Sequence, residues 1–180
     1  MIINVRGTHG SGKSTVIRKV MEKGVFSPFY IEGRKRPMGY RNDTIFVPGS
    51  YETDCGGCDT ISQVEDAFDL IKGHASNGWR VLFEGILSQH SAPRLIEVHK
   101  LFPVIVLVLT TPVEQCIADV EKRRAESGNT RPFNHENLRK EARSVVSSSR
   151  RLKSEGLNLQ YMTREEAIDY CIEVLFHGNA

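Results

Sequence analysis

Apolar residues along the chain alternate between two spacings, and the alternation predicts a strand–helix repeat. Ile2–Arg6 is a short apolar strand that runs into a glycine-rich turn. Lys13–Lys23 then places Val16, Ile17, Val20 and Met21 on one helical face, and Gly24 stops it. Phe29–Ile31 and Thr44–Val47 are short extended pieces among Gly, Pro and Asn turns. Over Ile61–Ser76 the apolar residues Ile61, Val64, Phe68, Ile71 and Ala75 recur at helical steps, with Thr60 and Gln63 as a capping box and Asn77-Gly78 as the stop. Val81–Phe83 is a strand ending at Glu84. Pro103–Leu109 is a continuous apolar run, as in a central parallel strand covered on both faces. Thr111 to Glu114 reads as a capping box with Pro112 at the first helical position, followed by Val113, Cys116, Ile117 and Val120 on one face. Glu136–Ser154 is a polar helix and Leu157–Tyr161 a last strand. A final helix, capped by Thr163 and Glu166, packs through Ile168, Cys171, Ile172 and Leu175. The expectation is an α/β three-layer sandwich on a five-stranded, mainly parallel sheet.

Composition narrows the class but not the chemistry. At 180 residues, 39% hydrophobic and 26% charged, the chain suits one compact domain with a substantial core. No apolar run approaches the roughly 20 residues that cross a bilayer, and Met1–Arg6 has no basic leader pattern, so a cytoplasmic protein with no membrane partner is expected. Four cysteines (Cys55, Cys58, Cys116, Cys171) are too sparse for a disulfide scaffold. The net charge of +2 hides a local asymmetry. Arg18 to Arg41 is basic. Asn42 to Ile71 holds Asp43, Glu52, Asp54, Asp59, Glu65, Asp66 and Asp69 with no Lys or Arg, and Lys122 to Lys153 is basic again. Two basic segments around an acidic one suit a site that handles phosphates on one side; as single residues, the same charges also suit solvated helix faces.

The decisive motif is Gly7-Thr8-His9-Gly10-Ser11-Gly12-Lys13-Ser14, which matches G-x-x-x-x-G-K-[ST] between an apolar strand and an amphipathic helix. Glycines let backbone N–H groups turn inward around phosphate oxygens, and the helix N-terminus adds partial positive charge. Gly7 to Thr15 is therefore the expected ATP-binding stretch. Lys13 is placed to reach the β- and γ-phosphates, and the Ser14 hydroxyl to hold Mg²⁺. His9 inside the loop faces solvent or ligand. His74, His90 and His99 read as surface or core residues.

Phosphoryl transfer needs more groups: an acid, an orienting or proton-accepting group for the acceptor, and cations for the moving charge. Glu84, at the C-terminal end of its strand and followed by Gly85, suits either Mg²⁺ through water or the acceptor hydroxyl as a base. Arg123 and Arg124 close the helix opened by Thr111. Gly128, Asn129 and Arg131 follow, as in a lid over about 121–153; the same arginines would also stabilise a helix C-terminus. Gly33 to Pro37, with Arg34 and Arg36, then Tyr40 and Arg41, forms a basic loop suited to an acceptor's phosphate or a nucleic-acid backbone, within an acceptor region of about 33–60. Cys55-Gly56-Gly57-Cys58 lacks two further zinc ligands and reads as a flexible loop of that region. Asp54–Gly57 has a D-x-x-G pattern but no N-K-x-D guanine reader accompanies it, which disfavours a GTPase switch.

Together GTHGSGKST, VLFEG, the helix ending in Arg123-Arg124, GRKRPMGY and YETDCGGCDTI resemble the small phage-encoded P-loop kinases related to thymidylate kinase, among them the 5-hydroxymethyluracil DNA kinases. The resemblance runs over nearly the whole chain. It implies an ATP- and Mg²⁺-dependent phosphotransferase acting on the hydroxymethyl group of 5-hydroxymethyl-deoxyuridine in phage DNA, a step in thymidine hypermodification, inside the host cytoplasm. It implies Gly7–Ser14 for ATP, Glu84 with Arg123-Arg124 at the reacting centre, and Gly33–Asp59 for the acceptor. The Asp-Arg pair expected of thymidylate kinases is absent, which argues against free thymidylate. Two other readings are a free nucleoside or nucleoside monophosphate kinase and an ATP-binding regulatory module with no acceptor. The oligomeric state is open.

Overall fold

The computed structural model describes residues 1–53, 56–85 and 91–178; Asp54, Cys55 and His90 lie outside them. Among the described residues the chain runs β1 (Ile2–Arg6), α1 (Lys13–Met21), β2 (Ser27–Phe29), β3 (Gly39–Arg41), β4 (Ile45–Pro48), a 3₁₀ turn (Cys58–Thr60), α2 (Val64–Ser76), β5 (Arg80–Glu84), α3 (Ser91–His99), β6 (Val104–Leu109), α4 (Val113–Glu126), α5 (His135–Ser154), β7 (Asn158–Met162), α6 (Arg164–Ile172) and a π-helical turn (Glu173–His177). One sheet has the order β2-β3-β4-β5-β1-β6-β7. The five strands from β4 to β7 are parallel. The sheet has seven strands rather than the expected five, because β2 and β3 extend one side as an antiparallel hairpin. Strand β2 sits two residues before the extended piece expected at Phe29–Ile31, and β3, three residues long, is too short for period-2 alternation to announce it.

The pleat sorts side chains into two cores. Ile2, Phe46, Val81, Phe83, Val104 and Val106 face α2, α3 and α5. Ile3, Val5, Ile45, Leu82, Ile105 and Leu107 face α1 and α6. The result is the three-layer sandwich that the sequence pattern implied. The continuous apolar run in β6 follows from this arrangement, since a strand covered on both faces has no solvent side. Cys116 and Cys171 are fully buried, as their helical positions implied, and burial pushes the Cys171 thiol up to about 12. No helix among the described residues is long and apolar enough to cross a membrane.

Two expected caps form differently. Thr60 does not cap α2: its hydroxyl accepts from Ser50 N and donates to Gly57 O, and the helix starts after Gln63 with no side-chain cap. Thr111 does not cap α4 either. Pro112 occupies the N-cap, and the Thr111 hydroxyl donates to the Ser11 carbonyl at 3.0 Å. Thr60 is taken up by a donor from beyond β4, and Thr111 by an acceptor in the phosphate loop, in place of the local cap. The Thr163–Glu166 capping box on α6 is present in full. Helix α3 gave no sequence signal strong enough to be expected.

His74 on α2 stacks on Phe46, with ring centroids 3.4 Å apart, and shares a hydrogen bond with the Leu70 carbonyl. Burial lowers its pKa from 6.5; the Leu70 carbonyl opposes that shift and Arg41 adds to it. The folded state therefore takes up this proton less readily than the unfolded state. The His74 contribution is fully present above its unfolded pKa and is lost as pH falls below it. Thermal unfolding of the wild type is expected to shift down between pH 7 and 5, and His74→Leu is expected to flatten that slope; equal slopes in the two proteins contradict the assignment.

Candidate active site

All five parallel strands end on one edge, and the chemistry-bearing residues collect there, as open α/β sheets require. Strand β1 delivers the Gly7–Ser14 loop to the middle of that edge, and α1 begins at Lys13. Gly10 and Gly12 have φ of 81° and 92°. A Cβ at Gly10 would sit 2.3 Å from the Cys116 carbonyl oxygen, a backbone atom that cannot move aside. Ser11 N donates to Thr8 O at 3.1 Å and Thr111, in the connection after β6, fastens Ser11. Lys13 Nζ reaches back over the loop to Thr8 O at 2.9 Å. The loop is thus bent by its own glycines and clamped by α4, which leaves its concave side facing a cleft of about 970 Å³.

Gly7, His9, Gly10, Gly12, Lys13, Ser14 and Thr15 line this cleft. Thr8 and Ser11 are buried in the bend and support it. His9 projects out, with Nδ1 2.6 Å from Glu141 Oε2 on α5. Burial works to raise the Glu141 carboxyl, but the His9 ring and Lys13 outweigh it and hold it below its ordinary value.

Glu84 stands at the far end of the loop, on β5 opposite Val5 of β1. It is only 4% exposed. Burial raises its pKa; the Ser14 hydroxyl and Lys13 ammonium beside it act in the opposite direction. Its Oε1 is buried without a hydrogen-bond partner. Gly57 lies directly over it, where a Cβ would come within 2.8 Å of Oε1. A buried carboxylate oxygen without a partner, next to a hydroxyl, forms a hard oxygen donor pair that fits Mg²⁺.

Of the three candidate lid arginines, Arg123 lines the cleft. Arg124 turns away: it bonds Asn129 Oδ1 and the Arg131 carbonyl and lies over the Phe133 ring. Arg131 is held in the same turn by Asn129. Helical geometry decides this, since adjacent residues point about 100° apart and only one of the pair can face the loop.

The basic acceptor candidates lie outside this cleft. Arg34 is exposed, 3.9 Å from Asp66. Arg36 is exposed, and Arg41 stacks over Phe29 and Trp79. The Tyr40 hydroxyl accepts from Tyr51 N at 3.4 Å. Yet β3 runs antiparallel to β4 with Gly39 opposite Pro48, so the turn before β3 emerges on the same sheet edge as the phosphate loop. Cys58 is buried and donates its thiol to Pro48 O at 3.4 Å; burial, then Glu84 and Asp59, push that thiol well up, so it is an inert protonated group.

Sequence reasoning missed several cleft residues: Arg18, Asp59, Asp119, Lys140, Glu141 and Arg164. They come from four helices and a turn, with no common spacing. Arg6 had a detectable signal. It closes β1 on the alternate face from Val5, and it is buried with Nη atoms on Ser91 Oγ and Ser148 Oγ; burial lowers it to about 10.

Comparison with known proteins agrees with this geometry. A family model described as an AAA domain matches residues 3–144. A 5-hmdU DNA kinase of Pseudomonas phage PaMx11 is 33% identical, over 92% of this chain and 92% of that protein. The chain belongs to the 5-hmdU DNA kinase family. A second member, from Delftia phage PhiW-14, is 30% identical over 91% of this chain and 68% of its own length. The structure of a deoxyadenosine kinase from M. mycoides with bound dATP has the same fold, with a TM-score of 0.53 at 15% identity, covering 99% of this chain and 98% of that one. The chain is thus a P-loop phosphotransferase that binds a nucleotide.

The steric argument at the loop gives a direct test. Gly10→Ala forces both a positive φ on a side-chain-bearing residue and a collision with the α4 backbone. Nucleotide affinity is expected to fall at least ~10-fold while the protein remains folded by circular dichroism; unchanged affinity in equilibrium titration contradicts the clamped-loop description.

Proposed function

We propose that the enzyme transfers the γ-phosphoryl group of ATP to the hydroxymethyl group of 5-hydroxymethyl-deoxyuridine within DNA. The single observation that carries this reading is the construction of the carboxyl edge, where a clamped phosphate loop, a buried Glu84 beside Ser14, and an inward Arg123 converge on one cleft. Family membership supplies the acceptor class. The whole chain, 1–180, works as one kinase domain, with the acceptor along residues 33–60 and a lid over 121–153.

The loop amides and Lys13 hold the triphosphate tail. Ser14 and Glu84 would hold Mg²⁺ between them. When bound, that ion neutralises charge on the β- and γ-phosphates. Arg123 faces the charge that builds on the moving group. Arg124 keeps the turn 127–134 in shape and so aims its neighbour. On the acceptor side, Arg34 and Arg36 stand in the β2–β3 turn on the flank of the same edge, suited to phosphates of a polymer. Tyr40 instead packs against the core, and Arg41, opposite Phe46 and over Trp79, lies toward the other edge of the sheet and takes no part. Glu65, Asp66 and Asp69 on α2 keep a polyanion from lying along that helix, which limits the contact to the hairpin side. An acceptor embedded in DNA fits this separation of base-modifying centre from cationic flank better than a small monophosphate does. The phage origin of the relatives supports a reaction inside the host cytoplasm.

Radiolabelled ATP with DNA containing 5-hydroxymethyluracil is expected to give label in the polymer; label only in added free nucleosides or nucleotides, or phosphate release without phosphorylated product, contradicts the reading. Lys13→Ala is expected to lower turnover about 10²–10³-fold, the scale of losing a key charge-stabilising donor. Arg123→Ala is expected to fall within the same range, whereas Arg124→Ala should keep kcat within about threefold and lower thermal stability instead. Equal losses of kcat in the two arginine variants contradict the orientation assigned to α4.

A further inference from the structure

Resting on the kinase reading, the geometry points to a division of work between two carboxylates: Asp59 accepts the proton of the acceptor hydroxyl, and Glu84 serves the phosphate and metal side. Glu84 is poorly placed to receive a proton from an incoming hydroxyl. It is roofed by the Gly57 backbone, almost wholly buried, and turned toward Ser14 and Lys13. Asp59 has the opposite character. It is exposed on the cleft wall, and its carboxylate makes no hydrogen bond or ion pair among the described residues.

The backbone that carries it is tied in place. Asp59 rides on the 3₁₀ turn Cys58–Thr60, and that turn is tied to the end of β4 at several points. Gly57 N donates to Ser50 O at 2.6 Å, Ser50 N to Thr60 Oγ1 at 2.8 Å, and the Cys58 thiol to Pro48 O. A turn held this way keeps the Asp59 Cα beside the cleft, so that its side chain can reach an acceptor hydroxyl there.

Gly85 explains how both carboxylates share one opening. It follows Glu84 with φ of 68°, and a Cβ there would stand 3.5 Å from both Asp59 oxygens. Glycine therefore leaves free the space directly in front of the Asp59 carboxylate, between it and the end of β5. That space lies between the phosphate loop and the hairpin flank, because Asp59 follows β4 and β4 pairs with β3. A hydroxyl approaching from the DNA side meets Asp59 before it meets Glu84.

The step balances simply. The acceptor oxygen forms a bond to the γ-phosphorus, and the bond from that phosphorus to the β–γ bridging oxygen breaks. The electron pair leaves on the β-phosphate of ADP. The hydroxyl proton passes to the Asp59 carboxylate, which returns it to water in the open cleft.

The test compares Asp59→Asn, Asp59→Glu and Glu84→Gln, each checked for wild-type circular dichroism. Asp59→Asn is expected to lower kcat about 10²–10⁴-fold, the usual weight of general acid–base catalysis, with ATP and DNA dissociation constants within twofold of wild type and an unchanged half-saturating Mg²⁺ concentration. Asp59→Glu is expected to recover part of the rate. Glu84→Gln is expected to raise the Mg²⁺ requirement. Asp59→Asn turnover within twofold of wild type, or a raised Mg²⁺ requirement in that variant, overturns the assignment while leaving the kinase reading intact. No phosphorylated DNA from the wild type overturns both.

Discussion

Every part of the site depends on one bend in the main chain between β1 and α1. A central strand and the helix that packs back onto its face must be joined by a turn, and here the turn is wound tightly through Gly10 and Gly12 at positive φ. The bend persists because the rest of the fold leaves it no alternative. The start of α4 fills the space behind Gly10, and Thr111 pins Ser11 from the turn after β6. Backbone dipoles fixed in this way need no rearrangement when anionic charge arrives, which is the physical basis of electrostatic preorganisation.

Around that bend, topology does the work of assembly. Strands β1, β4, β5 and β6 are parallel neighbours, so their C-terminal ends form one line. Residues as distant in the chain as Lys13, Asp59, Glu84 and Arg123 then meet at one cleft. The antiparallel hairpin β2–β3 carries the basic turn to the same edge from the side. Charge is sorted by the same geometry: cations gather at the loop and on α4, while Glu65, Asp66 and Asp69 fall on α2 and Asp59 on the turn before it.

Two local devices separate roles within the site. Burial distinguishes Glu84 from the exposed Asp59, although both are carboxylates at strand ends or just beyond. Helical twist separates Arg123, which faces the cleft, from Arg124, which braces the following turn against Phe133 and Asn129. In each pair the residue types are nearly interchangeable. Their surroundings make the difference.

The amino-acid sequence alone determined the class of fold, the phosphate loop with its flanking elements, and Glu84 at a strand end. These are local properties: hydrophobic period, glycine spacing and cap residues act over a few neighbours and can be read in order. The family was also legible, through the loop together with the GRKRPMGY and CGGCDTI stretches. Tertiary structure decided what depends on distant groups meeting. Thr60 and Thr111 left their expected helix caps because better acceptors and donors came within reach from other elements. The three-residue strands β2 and β3 exist because each has a partner, not because of their own pattern. Asp59, Arg18, Glu141 and Arg164 joined the cleft for the same reason: chain folding sets their separations, and no rule of spacing along the sequence encodes that.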